Sequence, residues 1–188
     1  MGPLVVQNNQ LFGVTTNGGS GDAGLVFGFD IATGSFEVFS QLQPNTGIKP
    51  AAALTVAGQR IFGTTEQGGA FGQGSIFSFA IGSTDLTYHR QFNASEAGHF
   101  VPLTYANDKL YGVSHEGGVD NKSIVYSIDA DGTNYQVVLD QYAFYTGEPY
   151  PGDIITGLTW GYDRFWTTTR SSSDGTASGT MFCFKADG

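Results

Sequence analysis

Apolar and polar residues alternate in short runs along the whole chain, and turn-forming residues break the alternation every eight to twelve positions. One stretch sets the pattern, residues 61–77, IFGTTEQGGAFGQGSIF. It reads as a strand, a polar glycine-rich loop and a second strand. The pattern returns as LFGVTTNGGSGDAGLVF at 11–27 and LYGVSHEGGVDNKSIVY at 110–126, and as a worn copy, FWTTTRSSSDGTASGTMF, at 165–182. The copies begin at Leu11, Ile61, Leu110 and Phe165, so they lie 50, 49 and 55 residues apart. Spacings of this size suit the four-stranded blades of a β-propeller.

The second copy shows one unit in full. Residues 52–56 form a short inner strand of small residues, 57–59 a tight turn, and 60–66 the second strand. The loop 67–74 leads to a third strand at 75–81, a turn at 82–85 and a fourth strand at 86–92. The first turn is Asn8-Asn9, Gly58-Gln59, Asn107-Asp108 and Tyr162-Asp163 in the four copies. Asn, Asp and Gly tolerate the positive φ that two-residue hairpins need. The predicted fold is therefore all-β: one four-bladed propeller domain over 1–188, with blades at about 3–42, 51–93, 101–140 and 155–188. The last blade is expected to lack its outer strand. A half-ring completing a larger propeller by dimerisation is the alternative. An open strand edge favours association, so a homo-oligomer through that edge is expected.

Composition narrows the partners. Twenty-eight glycines beside 15 Phe and 9 Tyr fit many tight turns around an aromatic core. A net charge of −9 repels phosphate backbones and anionic head groups, which argues against nucleic-acid partners and a membrane surface. No apolar run is long enough to span a bilayer, and Met1-Gly2-Pro3 does not open a signal peptide. Cys183 is the single cysteine, expected as a buried thiol in a strand.

The repeat resembles the GloVer tandem-repeat family of bacterial secreted and surface proteins. The residues that carry the likeness are Ile61-Phe62-Gly63-Thr64-Thr65 with Gly68-Gly69 and Gly74-Ser75-Ile76-Phe77, and Leu110-Tyr111-Gly112 with Gly117-Gly118. The fourth copy departs from the pattern, with Thr167 for Gly and Ser172-Ser173 for Gly-Gly. The resemblance implies a β-propeller-like fold and an extracytoplasmic home. It brings no catalytic signature.

Candidate chemistry lies where the copies differ. Two residues before the Gly-Gly pair, or its Ser-Ser replacement, stand Thr16, Glu66, His115 and Arg170, followed by Asn17, Gln67, Glu116 and Ser171. Loops after the second strands of a propeller share one face, where small ligands gather. Such a ring would bind a carbohydrate or another small polar molecule, with Arg170 on a carboxylate or phosphate. Glu116 and, in the next link, His99 would join it. The same ring could serve a hydrolase or lyase with Glu66 and His115 as acid and base. It could also be solvated strand ends on a structural adhesion repeat. Glu148 and Asp153 flank Tyr150-Pro151 as a second, carboxylate-aromatic sugar platform, with packing between blades as its alternative. His89, in an outer strand, is expected to face solvent. No cofactor or metal is expected. The glycine-rich loops lead into strands, without the helix N-terminus that cradles a phosphate, and Asp129-x-Asp131-Gly132 is a hairpin turn lacking the Glu of a calcium loop.

Overall fold

The computed structural model describes residues 2–50, 53–96, 100–140, 153–154, 156–170 and 179–186. They form four antiparallel sheets in the order of the sequence. Blade one is β1 (Val5–Gln7), β2 (Gln10–Thr15), β3 (Leu25–Asp30) and β4 (Phe36–Gln41). Blade two is β6 (Thr55–Ala57), β7 (Arg60–Gln67), β8 (Ser75–Ala80) and β9 (Thr87–Gln91), with β5 (Ile48–Pro50) from the preceding link added to β7. Blade three is β10 (Thr104–Ala106), β11 (Lys109–Ser114), β12 (Ile124–Asp129) and β13 (Gln136–Asp140). Blade four is β14 (Thr159–Gly161), β15 (Arg164–Thr168) and β16 (Met181–Phe184), three strands among the described residues. The chain divides into two compact units, Met1–Asn93 and Ala94–Gly188, each holding two blades.

The hairpin turns are those the sequence predicts. Asn8 and Asn9, Asn107 and Asp108, and Tyr162 and Asp163 all have φ between 50° and 61°. In the second copy only Gly58 has positive φ, at 59°, which fits a turn with Gly in its first central position. Tyr162 takes this backbone with its ring almost wholly in water.

Each repeat is organised by one close approach. Gly13, Gly63 and Gly112 in the second strands pair with Phe27, Phe77 and Tyr126 in the third. A Cβ on these glycines would lie 2.6, 2.5 and 2.3 Å from Cζ of the paired ring. The ring therefore lies across bare backbone, and only glycine leaves room for it. In the fourth copy Thr167 pairs with Phe182, and the Thr167 hydroxyl instead lies 3.3 Å from that of Thr156. At the same ring each outer strand carries an extra residue. The register between third and fourth strands slips at Val26/Phe27, Ile76/Phe77 and Val125/Tyr126. Three bulges at one repeat position bend the outer strand alike in each complete blade.

Among the described residues, an apolar core lies between the two blades of each unit. In the first, Phe12 and Val26 of blade one pack with Ile61, Phe77 and Phe79 of blade two. In the second, Tyr111, Val113 and Val125 of blade three pack with Phe165 and Phe184 of blade four. Cys183 is half-exposed rather than buried, because its side of β16 faces away from that core.

In blades one and three the turns between third and fourth strands are closed by aspartates. Asp30 Oδ1 accepts from the N–H groups of Ala32 and Thr33, and Asp131 Oδ1 from the hydroxyl and N–H of Thr133. Asp129 accepts from Lys109 and, at 2.6 Å, from Asn134. These bonds hold the three carboxyls below the ordinary aspartate range. A depressed carboxyl stabilises the fold above its unfolded pKa, roughly 3.9, and loses that contribution as pH falls through the lower folded value. Melting temperature is expected to be flat near neutrality and to drop below about pH 4. Asp129→Asn should shrink the drop in thermal scans down the pH series. Gly63→Ala is expected to lower stability by about 1–3 kcal/mol, since its Cβ overlaps the Phe77 ring. An unchanged denaturant midpoint would show that the ring can move aside.

Candidate functional site

The four candidate positions share one place in the blade. Thr16 follows the end of β2, Glu66 is the penultimate residue of β7, His115 follows β11, and Arg170 lies two residues beyond β15. The residue just before each carries a hydroxyl, and that hydroxyl is architectural. Thr15, Thr65 and Thr169 each accept the N–H of the first residue after the loop, at 3.2, 2.9 and 3.1 Å. Ser114 stands there, fully buried, in blade three. Constant hydroxyl and variable neighbour thus sit side by side.

A strap from the preceding link crosses three of these strand ends, those of blades two, three and four. Pro50 pairs with Thr65, Phe100 with Ser114, and Ile154 with Thr169. Sequence reading missed these pairings because three-residue segments such as Ile-Lys-Pro show no alternation. The register sets Lys49 opposite Glu66, between the pairs Ile48–Gln67 and Pro50–Thr65. In blade four the Arg170 N–H donates to the Asp153 carbonyl at 2.9 Å, and Lys122 Nζ lies 4.0 Å from Asp153 Oδ1. By backbone position an acidic and a basic residue thus stand opposite each other across the strap, Glu66 with Lys49 in blade two and Arg170 with Asp153 in blade four.

Within each unit the two strand ends are tied together. In the first, a Cβ on Gly24 would lie 2.4 Å from the Thr15 carbonyl, 2.8 Å from Pro50 and 3.3 Å from the Thr16 carbonyl. Lys49 N–H donates to the Ala23 carbonyl at 2.8 Å. In the second, Ser123 replaces that glycine, and its hydroxyl reaches the His115 carbonyl at 3.3 Å and the Ile154 N–H at 3.1 Å. Thr16 is thereby joined through backbone to the strand of Glu66, and His115 to the strand of Arg170. Thr16, Glu66 and His115 are half-buried, while Glu116 and Arg170 are exposed. His99 and the aromatic link with Glu148 and Tyr150 lie outside the described residues. Among the described residues, no group of three or more His, Cys, Asp or Glu side chains could hold a metal ion.

The glycine-rich loops are closed by the fourth strand. Gln41 Oε1 accepts from Ser20 N–H at 2.7 Å, and Gln91 Oε1 accepts from Ala70 N–H. In the first loop Asp22 also takes bonds from the Asn17 amide and the Gly18 N–H, which lower its carboxyl. Their amides are thus engaged within the fold.

His89 does not face solvent. Its Nε2 is 2.6 Å from the hydroxyl of fully buried Ser78, and its ring lies against Phe62 at 5.6 Å. Arg60 Nε and Nη2 both donate to that same hydroxyl oxygen, at 2.9 and 2.6 Å. The Ser78 hydroxyl thus gathers Arg60 and His89 at one buried point of the sheet. The bulge in β9 turns His89 inward, and outer-strand alternation alone gives no sign of it. A shallow hollow of about 550 Å³ in the second unit lies at the opposite, hairpin-turn end of its strands, lined by Asn107, Lys109, Tyr111, Trp160, Asp163 and Lys185.

Several solved structures share the fold at low identity. TolB from Acinetobacter baumannii is 14% identical over 89% of this chain and 39% of its own, with a TM-score of 0.46. A TolB of Agrobacterium tumefaciens is 15% identical over 95% and 56%, with a TM-score of 0.49. One of two prolyl endopeptidases compared for inter-domain dynamics is 11% identical over 93% and 24%, with a TM-score of 0.53. The chain spans less than two thirds of each of them, and the likeness to the prolyl endopeptidase, at 11% identity, extends to the β-propeller fold alone. No curated protein matches the sequence. The repeat itself matches over residues 1–186, and the chain belongs to the Gloeobacter/Verrucomicrobia repeat family.

Proposed function

We propose that this chain is an extracytoplasmic binding and scaffold module that recognises a carbohydrate or another small polar ligand through the loops after its second strands. One observation carries the reading. The repeat keeps a hydroxyl in place in all four copies, and the glycine and ring in three, and changes the residue after the hydroxyl in every copy: Thr16, Glu66, His115, Arg170. A framework under packing constraint repeats its side chains; a recognition surface diversifies them at fixed positions. The second unit offers the richest set, with exposed Arg170, whose N–H donates to the Asp153 carbonyl, the Lys122–Asp153 pair, and exposed Glu116 next to His115. Such a mixture of donors and acceptors suits hydroxyl-rich or anionic ligands. The extracytoplasmic setting rests on the character of the repeat family. No helix among the described residues is long and apolar enough to cross a membrane.

The test is a glycan array carrying neutral and acidic sugars, followed by titration calorimetry with the strongest glycan. Arg170→Ala should weaken an acidic glycan by about tenfold or more, the worth of one charge-assisted hydrogen bond. Undiminished binding by an Arg170→Ala, His115→Ala double variant would remove these loops from recognition. Turnover of the bound glycan, abolished by Glu66→Gln, would replace the binding module by an enzyme.

A further inference from the structure

The hollow at the hairpin-turn end of the second unit lies where the two units differ most in chemistry. The repeat sets Tyr111 where Phe12 stands, Trp160 for Val56, Asp163 for Gln59 and Lys185 for Ala80. In the first unit Phe12 belongs to the buried core, and Val56 and Ile81 pack against it. In the second, the same junction carries an indole, a phenol, a carboxylate and an ammonium.

Tyr111 is buried and Trp160 half-buried, and Phe165 lies against both, with ring centres 4.3 and 4.6 Å away. Aromatic rings held in this way lose little freedom when a ligand arrives. Asn107, Asp163 and Lys185 are exposed around them. Among the described residues, the side chains of these three, the Tyr111 hydroxyl and the Trp160 indole N–H make no hydrogen bond or ion pair. Lys109 differs, for its ammonium is committed to Asp129. All the lining residues belong to the second unit. The fourth strand of a complete blade pairs on the far edge of the third, away from the inner strand that bears Trp160. A volume of about 550 Å³ falls within the range of small-molecule clefts, roughly 300–1,000 Å³.

The lining selects a class of ligand. Aromatic rings beside unused donors and acceptors suit a pyranose, whose C–H groups stack on the rings while its hydroxyls bond to the amide, the phenol and the carboxylate. The ammonium of Lys185 favours a carboxylate on that sugar. A plain anion would meet one uncommitted cation with Asp163 in the same lining. We propose that this hollow binds an acidic sugar, a hexuronate unit, with Tyr111 and Trp160 against its ring and Lys185 on its carboxylate. The site is separate from the loops after the second strands and does not rest on the role given to them.

Titration of the whole chain with trigalacturonate, followed by the NMR signals of its two tryptophan indoles, tests the assignment. The Trp160 signal should move and the Trp166 signal should stay. Neutral maltotriose should bind more weakly, and the difference should shrink as salt is added. Lys185→Gln, at an exposed position, should weaken trigalacturonate by at least about tenfold, roughly 1.4 kcal/mol, with unchanged circular dichroism. An unmoved Trp160 signal overturns the proposal. Inorganic phosphate that moves Trp160 as far as the trisaccharide does so too, since a plain anion would then suffice. Binding that survives Lys185→Gln but is lost with Arg170→Ala also overturns it, and assigns the sugar to the loops instead.

Discussion

An aromatic ring of the third strand lying against a glycine of the second is the contact that the rest of each of the first three blades depends on. It fixes register, since a slip of one residue would drive the ring into a side chain. It also sets depth, because the ring fills the volume that a Cβ would occupy and so draws the two strands' side chains into one smooth face. Neighbouring blades stack on that face. Beside Gly63, Phe77 and Phe79 lie wholly buried under Phe12 and Phe39 of the preceding blade. In blade four Thr167 takes the glycine's place and Phe182 remains partly exposed. The worn copy of the repeat is worn at its keystone.

Much of this was legible in the sequence for plain reasons. Strands alternate where one face is buried, and Asn-Asn or Asn-Asp between two such runs has few backbone choices other than a tight hairpin. The fourfold copy number amplifies each weak signal. The straps were not legible, because Pro50, Phe100 and Ile154 make one or two pairings each and carry no period. Nor was His89, whose inward turn comes from a bulge that shifts the count by one residue. The exposure of Cys183 likewise follows from which side of β16 meets the core, a matter of tertiary packing.

The candidate site follows the same division. Comparison of copies locates Thr16, Glu66, His115 and Arg170 from sequence alone. Their setting needs coordinates: a hydroxyl before them sits at the strand end, a strap crosses three of the strands, and in two blades the backbone sets a residue of opposite charge across the strap. Such a setting holds backbone firmly while leaving the side chain to vary. In the first two glycine-rich loops, amides of Gly18, Ser20 and Ala70 bond to Asp22, Gln41 and Gln91.

Uniform mating faces carry a cost during folding. Most contacts inside a blade are between neighbouring hairpin strands, so each blade can form early by itself. A nascent blade then meets several surfaces of nearly the same kind, and docking out of order is a hazard common to repeat proteins. The junctions answer this with different shapes: Phe12 with Phe39 and Phe79 at one, Tyr111 with Phe165 and Phe184 at another. Divergence among the copies, usually read as decay, here gives each blade an address.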